Sequence, residues 1–246
     1  VNHTSSIEQH SVGKSVLLHL LPGVLTACCY YALIPLLHEW GYPSIMPLTI
    51  AVVLILVPFE LGYLLRQGKK QNGRYSLRGV ASYQTPIPLW QYFLWVPVLF
   101  VILGVIFTVM KPVDTFLQES LYSWVPTLES GLTDGYSKGV LIQTYVMLAI
   151  FSAFVAPVTE ELYFRGYLLP RMGFAGKWAP VLHSLLFGLY HFWTPWMLVT
   201  RTLGMLPLVY AVQRRNLNLS IIVHILVNLV DVVTGAVFII GMGTII

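Results

Sequence analysis

From position 141 to 172 the chain reads LIQTYVMLAIFSAFVAPVTEELYFRGYLLPRM, an apolar run long enough to cross a bilayer with two adjacent carboxylates, Glu160 and Glu161, set inside it. A membrane helix needs about 20 apolar residues, and a carboxylate at that depth is costly, so chains that keep one generally use it for chemistry or transport. Arg165 follows Glu161 by four residues with the acid on the N-terminal side, the favourable order for an ion pair on one helix face. Glu160 is turned about 100° away from that face. The spacing therefore predicts a partnered Glu161 and a Glu160 left free to act.

The rest of the chain keeps the same company. Of its 246 residues 57% are hydrophobic and only 10% charged, against about 25% charged in soluble domains. The pattern predicts an all-α, polytopic membrane protein forming a single integral membrane domain over 1–246, with about seven to eight transmembrane helices and the site in the C-terminal ones. Seven runs are near membrane length, at roughly 16–37, 44–65, 89–110, 139–170, 178–197, 198–213 and 219–240. The sixth is short, and Gly204 and Pro207 suggest a break or re-entrant segment there. The first, after Lys14, is longer than a signal-peptide core and has no clear small-residue cleavage site, so it reads as a retained span.

Lysine and arginine favour cytoplasmic loops. With the N-terminus inside, Lys14, Arg66, Lys69, Lys70, Arg74, Arg78, Arg165, Arg171, Lys177, Arg214 and Arg215 fall at or near the cytoplasmic side, leaving Lys111, Lys138 and Arg201 outside with Glu39, Asp114, Glu119, Glu129 and Asp134. The expected arrangement is a multi-pass protein of a bacterial cell membrane, its N-terminus cytoplasmic, its C-terminus outside and its site open to the cytoplasm. The basic loop 66–78 suits anionic lipid, and no nucleic-acid partner is expected. Cys28 and Cys29 lie together in the first span, where packing explains them better than a disulfide or metal site. Trp90, Tyr92, Trp95, Trp193 and Trp196 fall near span ends, as interfacial anchors do. The sequon at Asn2 carries no functional weight.

Three more polar residues interrupt apolar helices: His191, His224 and Asn228. By helix rise Glu160 lies ~17 Å from Arg171, His191 ~21 Å from Lys177, and His224 and Asn228 ~14 and ~20 Å from Arg215. Residues on three helices thus reach one layer. His224 and Asn228 share a face, and Asp231 could orient either. A carboxylate and an imidazole in a dry cavity suit general acid–base hydrolysis, while an imidazole and a carboxamide suit an oxyanion. No serine or cysteine nucleophile motif is apparent. No cofactor is expected. The competing metal reading would make Glu160, His191 and His224 a zinc set, with His183 a further candidate ligand, although the H-E-x-x-H helix is missing.

The order Glu160-Glu161-x-x-x-Arg165, Phe187-x-x-x-His191, His224-x-x-x-Asn228 resembles the three-motif signature of the CPBP family (CAAX proteases and bacteriocin-processing proteins, also called Abi), which includes the Ras-converting CAAX endoproteases. The resemblance covers about 150–240. It implies an intramembrane glutamic-type endopeptidase in which Glu160 and His191 activate water, His224 and Asn228 hold the oxyanion, and Glu161, Arg165 and Phe187 support the site. The substrate would be a peptide or lipidated protein: a prenylated CAAX-like tail, a bacteriocin leader or a small peptide precursor, cut near the cytoplasmic side. A catalytically idle scaffold or partner protein and a proton-linked transporter are the rival classes; the intact quartet disfavours the first and the lack of duplicated halves the second. The oligomeric state is left open. Glu60, outside all three motifs, is expected to pair with Arg165 or Arg201 or to face an internal cavity.

Overall fold

The computed structural model describes residues 7–133 and 135–242, so Asn2 and Asp134 lie outside it. Every regular element among the described residues is helical. Among the described residues, six helices are long and apolar enough to cross a membrane: α1 (Val12–Glu39), α2 (Ile45–Asn72), α3 (Leu89–Ser120), α4 (Lys138–Arg171), α6 (Pro195–Arg214) and α7 (Leu217–Gly241). The chain is an integral, polytopic, all-helical membrane protein.

The remaining helix, α5 (Ala179–Leu189), has 11 residues and rises only ~16 Å. The expected span 178–197 is therefore helical only in its first half. The break falls at 190–194, and α6 runs continuously through Gly204 and Pro207, so the interruption anticipated in the sixth span lies just before it. Gly188 lets α5 and α6 fold together there, since a Cβ would meet the Leu198 carbonyl and the Thr202 hydroxyl at about 3 Å.

Backbone contacts sort the connections to two ends. At one, His10 N–H donates to Arg171 O (3.0 Å), Ser82 N–H to Gly166 O (2.8 Å) and Leu217 N–H to Tyr83 O (2.8 Å). At the other, Ile45 N–H donates to Glu129 O (3.0 Å) and the Tyr145 hydroxyl to Ser130 O (3.1 Å). The first end carries the basic loops. Arg165, next to Gly166, is fully buried within the bundle rather than exposed in a loop, and Arg201 lines an internal cavity rather than an exterior loop.

Three stretches of α2 and α4 widen into π-helical turns: Val52–Leu56, Leu148–Val155 and Glu161–Leu168. Each ends two residues before a proline, Pro58, Pro157 or Pro170. A proline has no N–H and its ring crowds the carbonyl four residues earlier, and a wider turn relieves both problems. Glu160 ends the short α-helical turn Ala156–Glu160 between two such stretches. A buried apolar cluster containing Leu18, Ala51, Leu99, Ala156, Phe187, Met205 and Val223 joins all seven helices around it.

Candidate active site

Glu161 and Arg165 are both fully buried and paired, with Nη1 to Oε1 2.5 Å, as their spacing predicts. Arg165 also points Nη2 at the Met205 sulfur (2.9 Å) and stacks over the Phe187 ring, 4.6 Å from its centroid. That contact explains the aromatic residue of the second motif: its π-face supports a cation in a dry setting. The second oxygen of Glu161 accepts the Ser220 hydroxyl, and His224 Nδ1 lies 2.9 Å from Oε1. Glu161 thus has an ion pair, a hydroxyl and an imidazole.

Glu160 is buried but less fully served. Its Oε1 accepts the Tyr190 hydroxyl (3.0 Å), and its Oε2 stands 3.7 Å from His224 Nε2, beyond a direct hydrogen bond. His224 therefore bridges the two glutamates, turned by Glu161 so that Nε2 faces Glu160.

His191 and Asn228 are oriented by backbone carbonyls. His191 Nδ1 lies 2.8 Å from Phe187 O; a carbonyl can only accept, so Nδ1 carries the proton and Nε2 of the neutral ring is an acceptor. Asn228 Nδ2 donates to Ser152 O (2.8 Å). The sequence supplies the reason. Ala156 N–H goes to Phe151 O, and Pro157, five residues after Ser152, has no N–H, so the π-helical stretch leaves Ser152 O for a side chain from α7.

These groups border one cavity of about 570 Å³, whose lining includes Glu160, Phe187, His191, Arg201, His224, Asn228 and Asp231. It extends to Ile45 and Leu128, away from the basic end. Gly104 and Thr108 of α3 and Val230 and Asp231 of α7 line it and are exposed, which opens the cavity on the flank between those helices. Asp231 makes no hydrogen bond to His224 or Asn228 among the described residues.

Three other expectations change. Glu60 pairs with neither arginine: its Oε1 lies 3.3 Å from the Tyr190 hydroxyl and its Oε2 has no partner. The prolines and a break at 190 bring α2, α4 and α5 together so that Tyr190 separates two carboxylates. His183 turns to His19, Nδ1 to Nε2 3.0 Å, rather than toward His191. Trp193 and Trp196 are buried, not interfacial, and Trp193 packs on His191 with centroids 5.1 Å apart. Among the described residues no three His, Cys, Asp or Glu side chains converge as a metal shell.

Tyr190 is the site residue that motif reading missed. The available signal was its place one position before His191, at the end of an apolar run whose other polar residues are His183 and Ser184. Gly23 of α1 permits its position, since a Cβ there would collide with the Tyr190 carbonyl.

Residues 142–230 match the model of a protein family described as Rce1-like, type II CAAX prenyl endopeptidase Rce1-like. The match spans most of α4 through the middle of α7 and holds all three motifs, so the resemblance is shown over the helices that build the site; Glu60 and Asp231 fall outside it. No curated protein and no solved structure matches the chain.

Proposed function

We propose that the protein is an intramembrane endopeptidase in which Glu160 is the general base. The observation that carries this reading is the contrast between two neighbouring buried carboxylates, one bound on both oxygens and the other facing the cavity between Tyr190 and His224. Water held by Glu160 and His191 Nε2 attacks the peptide carbonyl carbon, and Glu160 takes its proton. The C–N bond then breaks, and the proton passes to the leaving amine. The Asn228 carboxamide supplies a donor toward the oxyanion, as does His224 Nε2 when the ring carries a proton on both nitrogens, with Glu161 and Arg165 holding His224 in place.

The flank between α3 and α7 faces the bilayer, so a hydrophobic or lipidated tail can reach the cavity without crossing water. The substrate class is therefore a peptide or CAAX-like tail embedded in lipid. The Lys and Arg distribution supports a cytoplasmic N-terminus and an outside C-terminus, which sets Glu160 nearer the cytoplasmic end and the far limit of the cavity toward the outside. A farnesylated CAAX peptide incubated with the purified protein in detergent tests the activity: cleavage is expected with wild type and not with Glu160→Gln, whereas an idle scaffold would leave the peptide whole in both.

Single cysteines at Gly173 and Asn72, in a chain lacking Cys28 and Cys29, should react with an impermeant thiol reagent from the cytoplasm, and one at Ser130 from outside. Labelling of position 173 from outside would reverse the orientation and put the far limit of the cavity on the cytoplasmic side.

A further inference from the structure

One cation in the cavity has no anion. Arg201, on α6, lines the cavity and donates from Nη1 to Thr194 O (3.1 Å); among the described residues no carboxylate comes within ion-pair distance of it. Asp114 of α3 is close in the fold, but its Oδ1 accepts the hydroxyl of Thr200, the neighbour of Arg201, at 2.5 Å. A guanidinium inside a membrane is normally partnered, and its planar fork of N–H groups matches a carboxylate in bidentate geometry.

Its position makes this more than an unpaired charge. Met205, one turn further along α6, receives Arg165, so Arg201 stands ~6 Å along the helix from the level of the Glu161–Arg165 pair. That rise equals about two residues of extended chain. The cavity wall also carries Leu56, Phe100, Leu103 and Phe107, suited to apolar side chains or an acyl or isoprenoid group. A peptide entering by this route meets apolar wall, a cation and the paired carboxylate and imidazole within a few residues.

We propose that Arg201 binds the C-terminal carboxylate of the substrate, so that the site cuts within the last few residues of a chain and not within an internal leader. This rests on the endopeptidase reading of the same cavity. A peptide whose carboxylate is masked, or whose chain continues past the cut, leaves Arg201 without its anion and binds more weakly.

The test uses the full chain carrying Glu160→Gln, which leaves peptides uncut, and fluorescein-labelled farnesyl-Cys-Val-Ile-Leu as the free acid and as the C-terminal amide. Anisotropy in detergent should show the acid binding at least ~10-fold more tightly than the amide, as expected for a hydrogen-bonded charge pair away from water. Adding Arg201→Gln should close that gap, and Arg201→Lys should retain part of it. Equal affinity for acid and amide overturns the proposal even if Arg201→Gln fails to fold, and so does a gap that survives in a folded Arg201→Gln protein. Oleate binding that depends on Arg201, without an acid–amide gap, would reassign the anchor to a lipid carboxylate and overturn the peptide assignment. An acid–amide gap with no cleavage of either peptide by wild type would sink the endopeptidase reading and leave the anchor standing.

Discussion

Glu160 and Glu161 are consecutive, equally apolar in their sequence context and both buried, yet their surroundings differ in kind. Glu161 sits in a closed polar knot with Arg165, Ser220 and His224. Glu160 shares one hydroxyl with a second carboxylate, Glu60, and otherwise faces His224 and the cavity. The Tyr190 hydroxyl has one hydrogen, so both of its contacts are hydrogen bonds only when one carboxyl group is itself a donor. A saturated carboxylate holds structure together; an undersupplied one beside a cavity can exchange a proton. One residue of rotation on α4 separates the two roles.

The sharpest break of this comparison is Glu160→Gln. It should lower cleavage by at least ~100-fold, the usual scale of a positioned acid–base group, with the melting temperature in detergent unchanged. More than about a tenth of wild-type activity would remove Glu160 from the base role. Glu161→Gln should act in the opposite order. It leaves the Arg165 guanidinium buried without its anion, a change that costs about 3–5 kcal/mol, so the main readout is a fall in melting temperature, with activity lost as His224 loosens. An unchanged melting temperature would dissolve the distinction between the two carboxylates.

Smaller effects probe the Tyr190 link. Tyr190→Phe keeps the ring and leaves two carboxylates without their shared hydroxyl, so kcat should fall about tenfold while KM changes little, with a stability loss of ~1–3 kcal/mol. A variant with wild-type kcat would reduce Tyr190 to packing. Gly23→Ala pushes a methyl group against the Tyr190 carbonyl and should reproduce a fraction of that loss, since overpacking of this kind costs ~1–3 kcal/mol. If its kcat matches wild type, α1 does not control the position of Tyr190. The smallest expected effect is that of exhaustive chelation, which should leave activity intact when Glu160 and His191 activate the water alone. Loss on chelation with recovery on Zn²⁺ alone would move Glu160, His191 and His224 into a ligand set.

The membrane class and most of the helical spans were legible in the sequence, because each depends on local quantities: apolar length and charge spacing. The ion pair Glu161–Arg165 was legible for the same reason, being contained in a single helix turn. Other features depended on contacts between helices. Pro157 marks where α4 loses an N–H, but only the packing of α7 shows that Asn228 takes up the Ser152 carbonyl. Glu60 read as a charge in need of an arginine, and the fold gave it Tyr190. Arg201 read as an exterior residue, since counting along the chain cannot show that α5 stops after 11 residues and that the turn behind it brings Arg201 to the cavity wall. Rise along a helix adds up residue by residue and can be counted from sequence. The direction in which a side chain faces its neighbours depends on how prolines widen each helix and how glycines let them approach, and that only the tertiary structure decided.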